Sequence, residues 1–365
     1  MVIRLGIIGL SASDEAWTSG THAVPLLQEP LSSKYKITAI STSSKETALA
    51  SAKRWGIPPE KAYTSAEQIA ADPDVDMVVV GVKLPMHRDL TLPALNAGKD
   101  VFVEWPLATN LQQVKELQEA ATKSGVRTVI GLQARASPAI LKAKEIIDSG
   151  KLGKIVATTV NGWDNFLLYL PPRHDYEHDK TTRANISNIT SGHVLDALCF
   201  LLGEFKSVNA TMATNFPEIT TPNHSGPVAR DAPDAFLVHG TLLSGAVVSF
   251  SMVLTTPDSP SSFTWTITGS KGALKFEGLN INIQMLSPKL YLYAGGPSKS
   301  GTAGWEEVPV EESKYYGQVD HLYSVMANGE KVPGTIVDFD GAALRHSMLE
   351  ACLESAIDGT RKNYL

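Results

Sequence analysis

Over residues 1–133, short apolar runs alternate with segments that have the hydrophobic spacing of a helix. The apolar runs lie at residues 3–8, 35–41, 76–82, 100–104 and 127–133. The helical segments lie at residues 45–55, 86–97 and 110–124, and a glycine follows each of them. Strand and helix signals that alternate in this way are typical of βαβ units. The pattern predicts a parallel sheet, with ligand-binding loops at the carboxyl ends of its strands.

The pattern changes after a helical segment that begins at Ser137. From there on, β-rich runs with turn residues between them predominate, at residues 155–163, 234–243, 245–254, 261–270 and 272–278. Helical patterns interrupt them at 193–202 and 317–327, and a last helix is predicted at 340–355. We therefore predict a second domain of the α+β type with an antiparallel or mixed sheet. The predicted domains are residues 1–133 and 134–365.

Composition and charge exclude several classes of protein. Hydrophobic residues make up 43% of the chain and charged residues 19%, which is typical of a globular protein and not of a disordered or fibrous one. The net charge is −6 and no basic run exceeds a pair, so direct nucleic-acid binding is not expected. No run approaches the ~18 apolar residues of a membrane span, and the first apolar run is too short for a signal peptide. With only Cys199 and Cys352, a disulfide scaffold is excluded and a cytoplasmic protein is predicted.

A phosphate-binding turn is predicted where the first strand ends. The sequence Gly6-Ile-Ile-Gly9-Leu-Ser11-Ala-Ser13 stands there, ahead of a helical segment near residues 21–28. Glycine in such a turn lets the backbone approach a pyrophosphate, and the N-terminus of a helix attracts negative charge. Since Ser11 replaces the second glycine of the usual fingerprint and the third is missing, a generic strand–turn–helix is the alternative. Gly9, Ser11 and Ser13 are the candidate cofactor contacts.

The end of the second strand bears on the choice between NAD and NADP. Ser41, Thr42 and Ser43 stand there, Lys45 follows, and no Asp or Glu lies among them to bind a ribose 2′-hydroxyl. Small hydroxyls and a lysine would accept a 2′-phosphate. The alternative is a polar loop that caps the next helix, and the two roles are compatible.

Further candidate cofactor contacts lie at the ends of the later strands. Lys83 either contacts the phosphates or ribose of a dinucleotide or faces solvent. Glu104 is a further candidate contact. Trp105, directly after it, either stacks on the cofactor and walls the pocket or packs in the core, and we favour the pocket. Gln133 ends the next strand and is expected to point toward the same crevice.

Several motifs together resemble a known family. They are Gly6-x-x-Gly9, Gly81-Val-Lys-Leu-Pro85-Met-His87, Val103-Glu104-Trp105-Pro106-Leu107-Ala108, Gly131-Leu-Gln133-Ala-Arg135 and Gly192-His193-x-x-Asp196. In this order they resemble the Gfo/Idh/MocA oxidoreductase family over essentially the whole chain. Glu104-Trp105 in place of Glu-Lys and the sequence Thr190-Ser191-Gly192-His193 resemble its fungal Gal80-like branch.

The resemblance carries expectations about fold, cofactor and assembly. It implies an N-terminal Rossmann dinucleotide-binding domain and a C-terminal domain built on a large open, mostly antiparallel sheet. The face of that sheet commonly serves in oligomerisation, so a homodimer or larger homo-oligomer is expected. NAD or NADP is the implied cofactor, and Pro85 and His87 join its candidate contacts.

The resemblance also shows which chemistry is missing. In the family's dehydrogenases, the lysine of the Glu-Lys-Pro motif exchanges a proton with the reacting hydroxyl, and here Trp105 stands in its place. Indole has no titratable group near neutral pH. The family's Asp four residues before the motif histidine is Ile189 here. His193 is therefore the first candidate for proton transfer, with a structural histidine as the alternative.

The loop at residues 162–185 supplies two more catalytic candidates, Tyr169 and His174. It is either a lid over a substrate or a surface excursion pinned by its aromatic residues. The spacing of His174 and His178 suggests a metal pair on a helix, but the adjacent prolines and the lack of a third ligand argue against a metal site.

Two functions of different classes follow from these observations. The first is an NAD(P)-dependent oxidoreductase that acts on a hydroxyl or carbonyl group of a small molecule in a fungal metabolic pathway. The second is a non-catalytic, dinucleotide-binding transcriptional regulator whose cleft holds an activator peptide, in which case the protein would also be nuclear. A homodimer that uses its cofactor only for stability is a third interpretation. We favour the enzyme.

Overall fold

The computed structural model describes residues 2–166, 172–255, 260–293, 304–311 and 313–365. The chain forms two compact units. The first contains Met1–Ala136 and Lys314–His346, and the second contains Ser137–Ser313 and Ser347–Leu365. Within the described ranges, no helix is long and apolar enough to cross a membrane.

The elements occur in the following order within the described residues. The α-helices are α1 (Val24–Leu26), α2 (Lys45–Trp55), α3 (Ala66–Ala70), α4 (His87–Asn96), α5 (Leu111–Ser124), α6 (Pro138–Asp148), α7 (Thr190–Leu202), α8 (Val319–Asn328) and α9 (Phe339–Asp358). The strands are β1 (Ile3–Ile8), β2 (Tyr35–Ser41), β3 (Ala62–Tyr63), β4 (Met77–Val80), β5 (Asp100–Val103), β6 (Thr128–Ile130), β7 (Ile155–Asp164), β8 (Phe205–Ala213), β9 (Glu218–Ile219), β10 (Val228–Ala229), β11 (Ala235–Leu242), β12 (Val247–Leu254), β13 (Ser262–Gly269), β14 (Ala273–Gly278), β15 (Lys289–Tyr293) and β16 (Glu306–Val308).

A six-stranded parallel sheet forms the centre of the first unit. Its strand order is β3-β2-β1-β4-β5-β6, so the order reverses between β1 and β4. All four residues of β4 are buried, as a central parallel strand requires. The predicted Rossmann sheet is thus confirmed, and the reversal is where a parallel sheet of this kind opens a crevice for ligands.

The helices of the first unit begin and end where the sequence provides caps. The side chains of Ser44, Ser65 and Asn110 accept hydrogen bonds from the backbone N–H three residues further on. Gly56 and Gly125 end α2 and α5 in the left-handed conformation, with φ of 68° and 65°. The helix predicted at residues 110–124 is thus present, with Asn110 as its cap and Gly125 after its last residue.

The second unit is built on an eight-stranded mixed sheet. Its strand order is β16-β15-β14-β13-β7-β12-β11-β8, and only the β7–β12 pair is parallel among these described strands. Side chains alternate between buried and more exposed along most strands, with Phe250, Trp265 and Phe276 on the buried face. The predicted large, mostly antiparallel sheet is confirmed.

The segment Lys314–His346 belongs to the first unit, although the predicted boundary assigned every residue after 133 to the second. Its helix α8 places Val319, Leu322 and Tyr323 in the apolar core that contains strands β1, β2 and β5. The spacing of apolar residues in α8 indicates that one face is buried, but it carries no information about which core that face enters.

Candidate functional site

The turn after β1 needs glycine at residue 9 because another turn approaches it closely. Gly9 has a φ of 91°, which favours glycine, and its N–H donates to the carbonyl oxygen of Ser41 at 2.9 Å. A Cβ atom at residue 9 would lie 2.5 Å from the carbonyl oxygen of Gly81, which follows β4. The turn is thus held at the point where the strand order reverses.

The carbonyl groups of this turn are bound by neighbouring side chains. The backbone carbonyl oxygen of Ser11 accepts hydrogen bonds from the Trp55 indole N–H at 2.8 Å and from the Ser19 hydroxyl at 3.0 Å. The Ala12 oxygen accepts from the Arg54 guanidinium at 2.9 Å, and Arg54 also pairs with Asp14.

The N–H groups of Ser11 and Ala12, in contrast, donate no hydrogen bond within the described residues. Since the carbonyl oxygens are engaged, it is the N–H groups of this turn that are left for an anion such as a pyrophosphate. The turn fits a dinucleotide, and Gly9, Ser11 and Ser13 stay candidate contacts. Ser13 is exposed, and its N–H donates to the Ser11 hydroxyl at 3.0 Å.

The hydroxyls predicted at the end of β2 divide into two groups. Ser41 is buried and donates to the Ser65 carbonyl oxygen at 3.3 Å. The Thr42 hydroxyl lies 2.8 Å from that of Thr47, within the first turn of α2. These two residues hold the loop, whereas Ser43 and Lys45 are exposed and remain available to a ribose or a 2′-phosphate.

After β4, Lys83 and Pro85 are exposed but His87 is buried. The Nδ1 atom of His87 lies 2.8 Å from the Pro106 carbonyl oxygen, and its Nε2 atom lies 3.0 Å from that of Val82. Burial lowers the pKa of His87. His87 thus lies between two loops of the site, with one carbonyl oxygen near each ring nitrogen, and its contact with a cofactor remains a prediction.

A buried hydrogen-bonded network lies at the end of β5. The Oε1 atom of Glu104 accepts from the Trp17 indole N–H at 3.0 Å and lies 2.6 Å from Nε2 of His22. On the other side of the ring, Nδ1 of His22 lies 2.8 Å from the hydroxyl of Tyr323. The Tyr35 hydroxyl donates to the backbone oxygen of Tyr323 at 3.0 Å. We call Trp17, His22, Glu104 and Tyr323 the Glu104 network.

Burial decides how the protons are arranged in the Glu104 network. Burial and the neighbouring Glu104 raise the pKa of Tyr323 well above its usual range, and burial raises that of Tyr35 to about 12. Tyr323 therefore keeps its proton, and its hydroxyl lies 2.8 Å from Nδ1 of His22. The His22 ring then donates its Nε2–H to Glu104. The two hydrogen bonds on Oε1 hold the Glu104 carboxyl group in one orientation.

Three members of this network, Trp17, His22 and Tyr323, were not among the predicted site residues. The sequence carries one weak signal for His22, a histidine ahead of the apolar residues Ala23–Leu26. Tyr323 is 301 residues away from His22 along the chain, so no local pattern joins the two.

Trp105 and Gln133 are both buried within the first unit. The Trp105 ring centroid lies 4.8 Å from that of His346, and the Leu107 N–H donates to Nε2 of His346 at 3.2 Å. Gln133 donates from its amide nitrogen to the Gly317 carbonyl oxygen at 3.0 Å, while its Oε1 atom has no hydrogen-bond partner within the described residues. Their contacts with a cofactor remain predictions.

The catalytic candidates belong to the second unit. His193 is buried in the first turn of α7. His174 is 35% exposed at its side chain and pairs through Nδ1 with Glu177 at 2.7 Å. Tyr169 lies outside the described residues. No group of three or more potential metal ligands occurs in the described part of the chain.

Comparisons with known proteins agree with this geometry. Residues 3–132 match the family model of oxidoreductases with an NAD-binding Rossmann fold, and residues 138–278 match that of the Gal80p C-terminal domain. A dehydrogenase of Aspergillus oryzae, aclE, is 41% identical over 99% of this chain and 98% of its own length. The chain belongs to the Gfo/Idh/MocA oxidoreductase family.

The chain is also similar to regulators of the Gal80 type. The galactose/lactose metabolism regulatory protein GAL80 of Saccharomyces cerevisiae is 29% identical over 99% of this chain and 94% of its own length. A crystal structure of a super-repressor mutant of Gal80p from the same yeast superimposes with a TM-score of 0.87 at 27% identity, and covers 100% of this chain and 98% of the yeast chain. The Gal80-like resemblance is thus confirmed.

Proposed function

We propose that this protein is an NAD(P)-dependent oxidoreductase that acts on a hydroxyl or carbonyl group of a small molecule in a fungal metabolic pathway. The observation that carries the proposal is the 41% identity, over nearly the whole chain, to the Aspergillus oryzae dehydrogenase. The turn at Gly9–Ser13 supports it from the geometry, because the carbonyls of Ser11 and Ala12 are engaged and their N–H groups are left for an anion.

The dinucleotide is proposed to lie across the point where the strand order reverses. Its pyrophosphate would lie on the Ser11 and Ala12 N–H groups, with the adenosine half toward Ser43 and Lys45 at the end of β2. Either NAD or NADP suits this arrangement, since no acidic residue lies at residues 41–45 and Lys45 is exposed. When bound, the cofactor supplies the hydride acceptor or donor.

The proton that accompanies the hydride needs a separate group. Trp105 cannot supply it, because indole does not titrate near neutral pH. His193 is the proposed proton-transfer group, since it is a histidine in the first turn of α7 and matches the family motif. Tyr169 and His174 are the alternatives.

A panel of hydroxylated and carbonyl compounds, assayed with all four forms of the cofactor, tests the proposal. Cofactor reduction or oxidation is followed by absorbance, and dinucleotide binding is measured separately by calorimetry. We expect binding together with turnover of at least one compound class. Binding without turnover across the panel would favour a regulator, and the absence of binding would contradict both.

The regulator is the second candidate function, and a specific observation favours it. It is supported by the match of residues 138–278 to the Gal80p C-terminal domain model and by the 29% identity to yeast GAL80, a galactose/lactose metabolism regulatory protein. In that case the protein would bind an acidic activator peptide. Retention of such a peptide by the immobilised protein, combined with the lack of any turnover, would support this function.

A further inference from the structure

The Glu104 network places a carboxylate at the end of β5 in a fixed orientation. The Glu104 side chain is 10% exposed, and its Oε1 atom accepts from two N–H groups of residues in the same unit. The Trp17 and His22 donors come from the segment after the β1 turn, so the network is attached to the proposed pyrophosphate cradle.

We propose that Glu104 selects the oxidation state of the bound dinucleotide, so that its carboxylate favours the oxidised form over the reduced form. This inference rests on the proposed binding of NAD or NADP. It requires no turnover, and it therefore applies equally to an enzyme and to a regulator.

The topology of the sheet supplies the first step of the argument. The order β3-β2-β1-β4-β5-β6 places the end of β2 on one side of the Gly9 turn and the ends of β4 and β5 on the other. A dinucleotide bound across such a reversal directs its adenosine half toward β2. The nicotinamide half therefore lies over β4 and β5, on the side that carries Glu104.

The charge of the nicotinamide supplies the second step. The ring carries a positive charge in the oxidised cofactor and none in the reduced one, while the rest of the molecule keeps the same charge. A fixed carboxylate nearby therefore stabilises the oxidised form selectively. Burial strengthens this effect, because a partly buried charge is screened less than one in water.

The remaining members of the Glu104 network hold its carboxyl group in place. His22 lies between Glu104 and Tyr323 of α8, and its ring meets that of Phe102 edge to face at 5.3 Å. Tyr35 of β2 donates to the Tyr323 backbone oxygen. One ring nitrogen of His22 lies 2.6 Å from Glu104 and the other lies 2.8 Å from the Tyr323 hydroxyl, so the ring is held from both sides. His22 is thus a positioning residue for the carboxylate.

The test compares dissociation constants for NAD⁺ and NADH, measured by fluorescence titration of the full chain. Wild-type protein is expected to bind NAD⁺ at least as tightly as NADH. Glu104→Gln keeps the shape and loses the charge, and it should lower the preference for NAD⁺ by roughly tenfold, as expected for opposite unit charges held close together in a partly buried site. Glu104→Asp keeps the charge and should retain a preference for NAD⁺.

Asp100→Asn is the matched control. Asp100 begins β5, at the opposite end of the strand, and forms a surface ion pair with Arg127 at 2.7 Å. The substitution removes the same charge from the same strand and should leave the preference unchanged.

Two results would overturn the inference. The first is that Glu104→Gln changes the affinities for NAD⁺ and NADH equally or changes neither. The second is that the wild-type protein binds NADH more tightly than NAD⁺. If the wild type binds neither form, the proposed function fails as well, and that result is distinct from the other two.

Discussion

Gly131 provides the space that the Glu104 carboxylate occupies. A Cβ atom at residue 131 would lie 2.7 Å from Oε2 of Glu104 and 3.2 Å from its Cα atom. The Gly131 N–H also donates to the Val103 carbonyl oxygen at 2.8 Å, so its backbone is fixed beside β5. The Glu104 carboxylate can therefore occupy its position after β5 only because residue 131, which follows β6, has no side chain.

Gly131→Ala should destabilise the protein because neither the backbone nor the buried carboxylate can move away easily. We expect a loss of about 1–3 kcal/mol in the free energy of unfolding, which is usual for overpacking. Urea denaturation measures it. The control is Gly20→Ala, since nothing lies within 4 Å of a Cβ atom at residue 20. Equal stability of the two variants would contradict the assigned role of Gly131.

Arg54→Met should weaken dinucleotide binding because Arg54 holds the Ala12 carbonyl oxygen and Asp14. Without this support, the Ser11 and Ala12 N–H groups lose their fixed orientation, and part of the binding energy is spent on ordering the turn. We expect the Kd for the dinucleotide to rise about three- to tenfold. Lys53→Met removes the same charge from the preceding, exposed residue of α2 and should leave the Kd unchanged.

Lys45→Glu should shift the cofactor preference toward NAD. With lysine at this exposed position, NADP is expected to bind at least as well as NAD, whereas a glutamate would repel the 2′-phosphate and bind the ribose hydroxyls. A relative change of about tenfold or more is expected in calorimetric titrations with both cofactors. A glutamate in the first turn of α2 suits the helix dipole, so folding should be unaffected. An unchanged preference would show that the 2′-phosphate lies elsewhere.

His193→Asn should lower turnover by ~10²–10⁴-fold, as is usual when a general acid–base group is lost, while dinucleotide binding survives. His174→Asn is the comparison variant, because His174 is partly exposed and pairs with Glu177. If instead His174→Asn abolishes turnover and His193→Asn does not, the proton-transfer group lies in the loop at residues 162–185. Steady-state kinetics on the same substrate distinguishes these outcomes.

Tyr323→Phe should make the stability of the protein less sensitive to alkaline pH. The pKa of Tyr323 is raised in the folded state. Its contribution to the free energy of unfolding is therefore fully present below pH ~10, the usual tyrosine pKa of the unfolded chain. Above that pH the unfolded chain loses a proton that the folded protein keeps, so this contribution is lost as the pH rises. The phenylalanine variant should lose about 1 kcal/mol at pH 7, because the hydrogen bond to His22 is missing, and its stability should fall less steeply above pH 10. Urea denaturation at pH 7, 10 and 11 measures both, and identical slopes would contradict this role.

The location of the site was predictable because the carboxyl ends of parallel strands meet at one edge of a sheet. That rule led to Gly9, Lys83, Glu104 and Gln133 from sequence alone. It gave no information on which hydrogen bonds these side chains form within the protein. Ser41 and Thr42 were placed at the correct strand end, yet their hydroxyls are used by the Ser65 carbonyl and by Thr47.

The sequence predicted one reason for glycine at residue 9, and the structure shows a different one. The expectation was that it lets the backbone approach a pyrophosphate, whereas the closest atom to a Cβ there is the carbonyl oxygen of Gly81. This approach joins two turns that are 72 residues apart. Long-range packing of this kind, like the meeting of His22 with Tyr323, has no periodic signature in the sequence.

The return of α8 to the first unit has a consequence for protein synthesis. Ribosomes release the chain from its N-terminus, so all six strands of the parallel sheet emerge long before residue 314. In the finished unit the Tyr323 ring lies 5.2 Å from Tyr35 and 5.5 Å from Phe102, measured between ring centroids. A nascent or prematurely terminated chain lacks the Tyr323 ring and therefore exposes Tyr35 and Phe102 to chaperones and proteases. It also lacks the hydroxyl that lies 2.8 Å from Nδ1 of His22. The dinucleotide unit is therefore among the last parts of the protein to be completed, although its sheet is the first to be made.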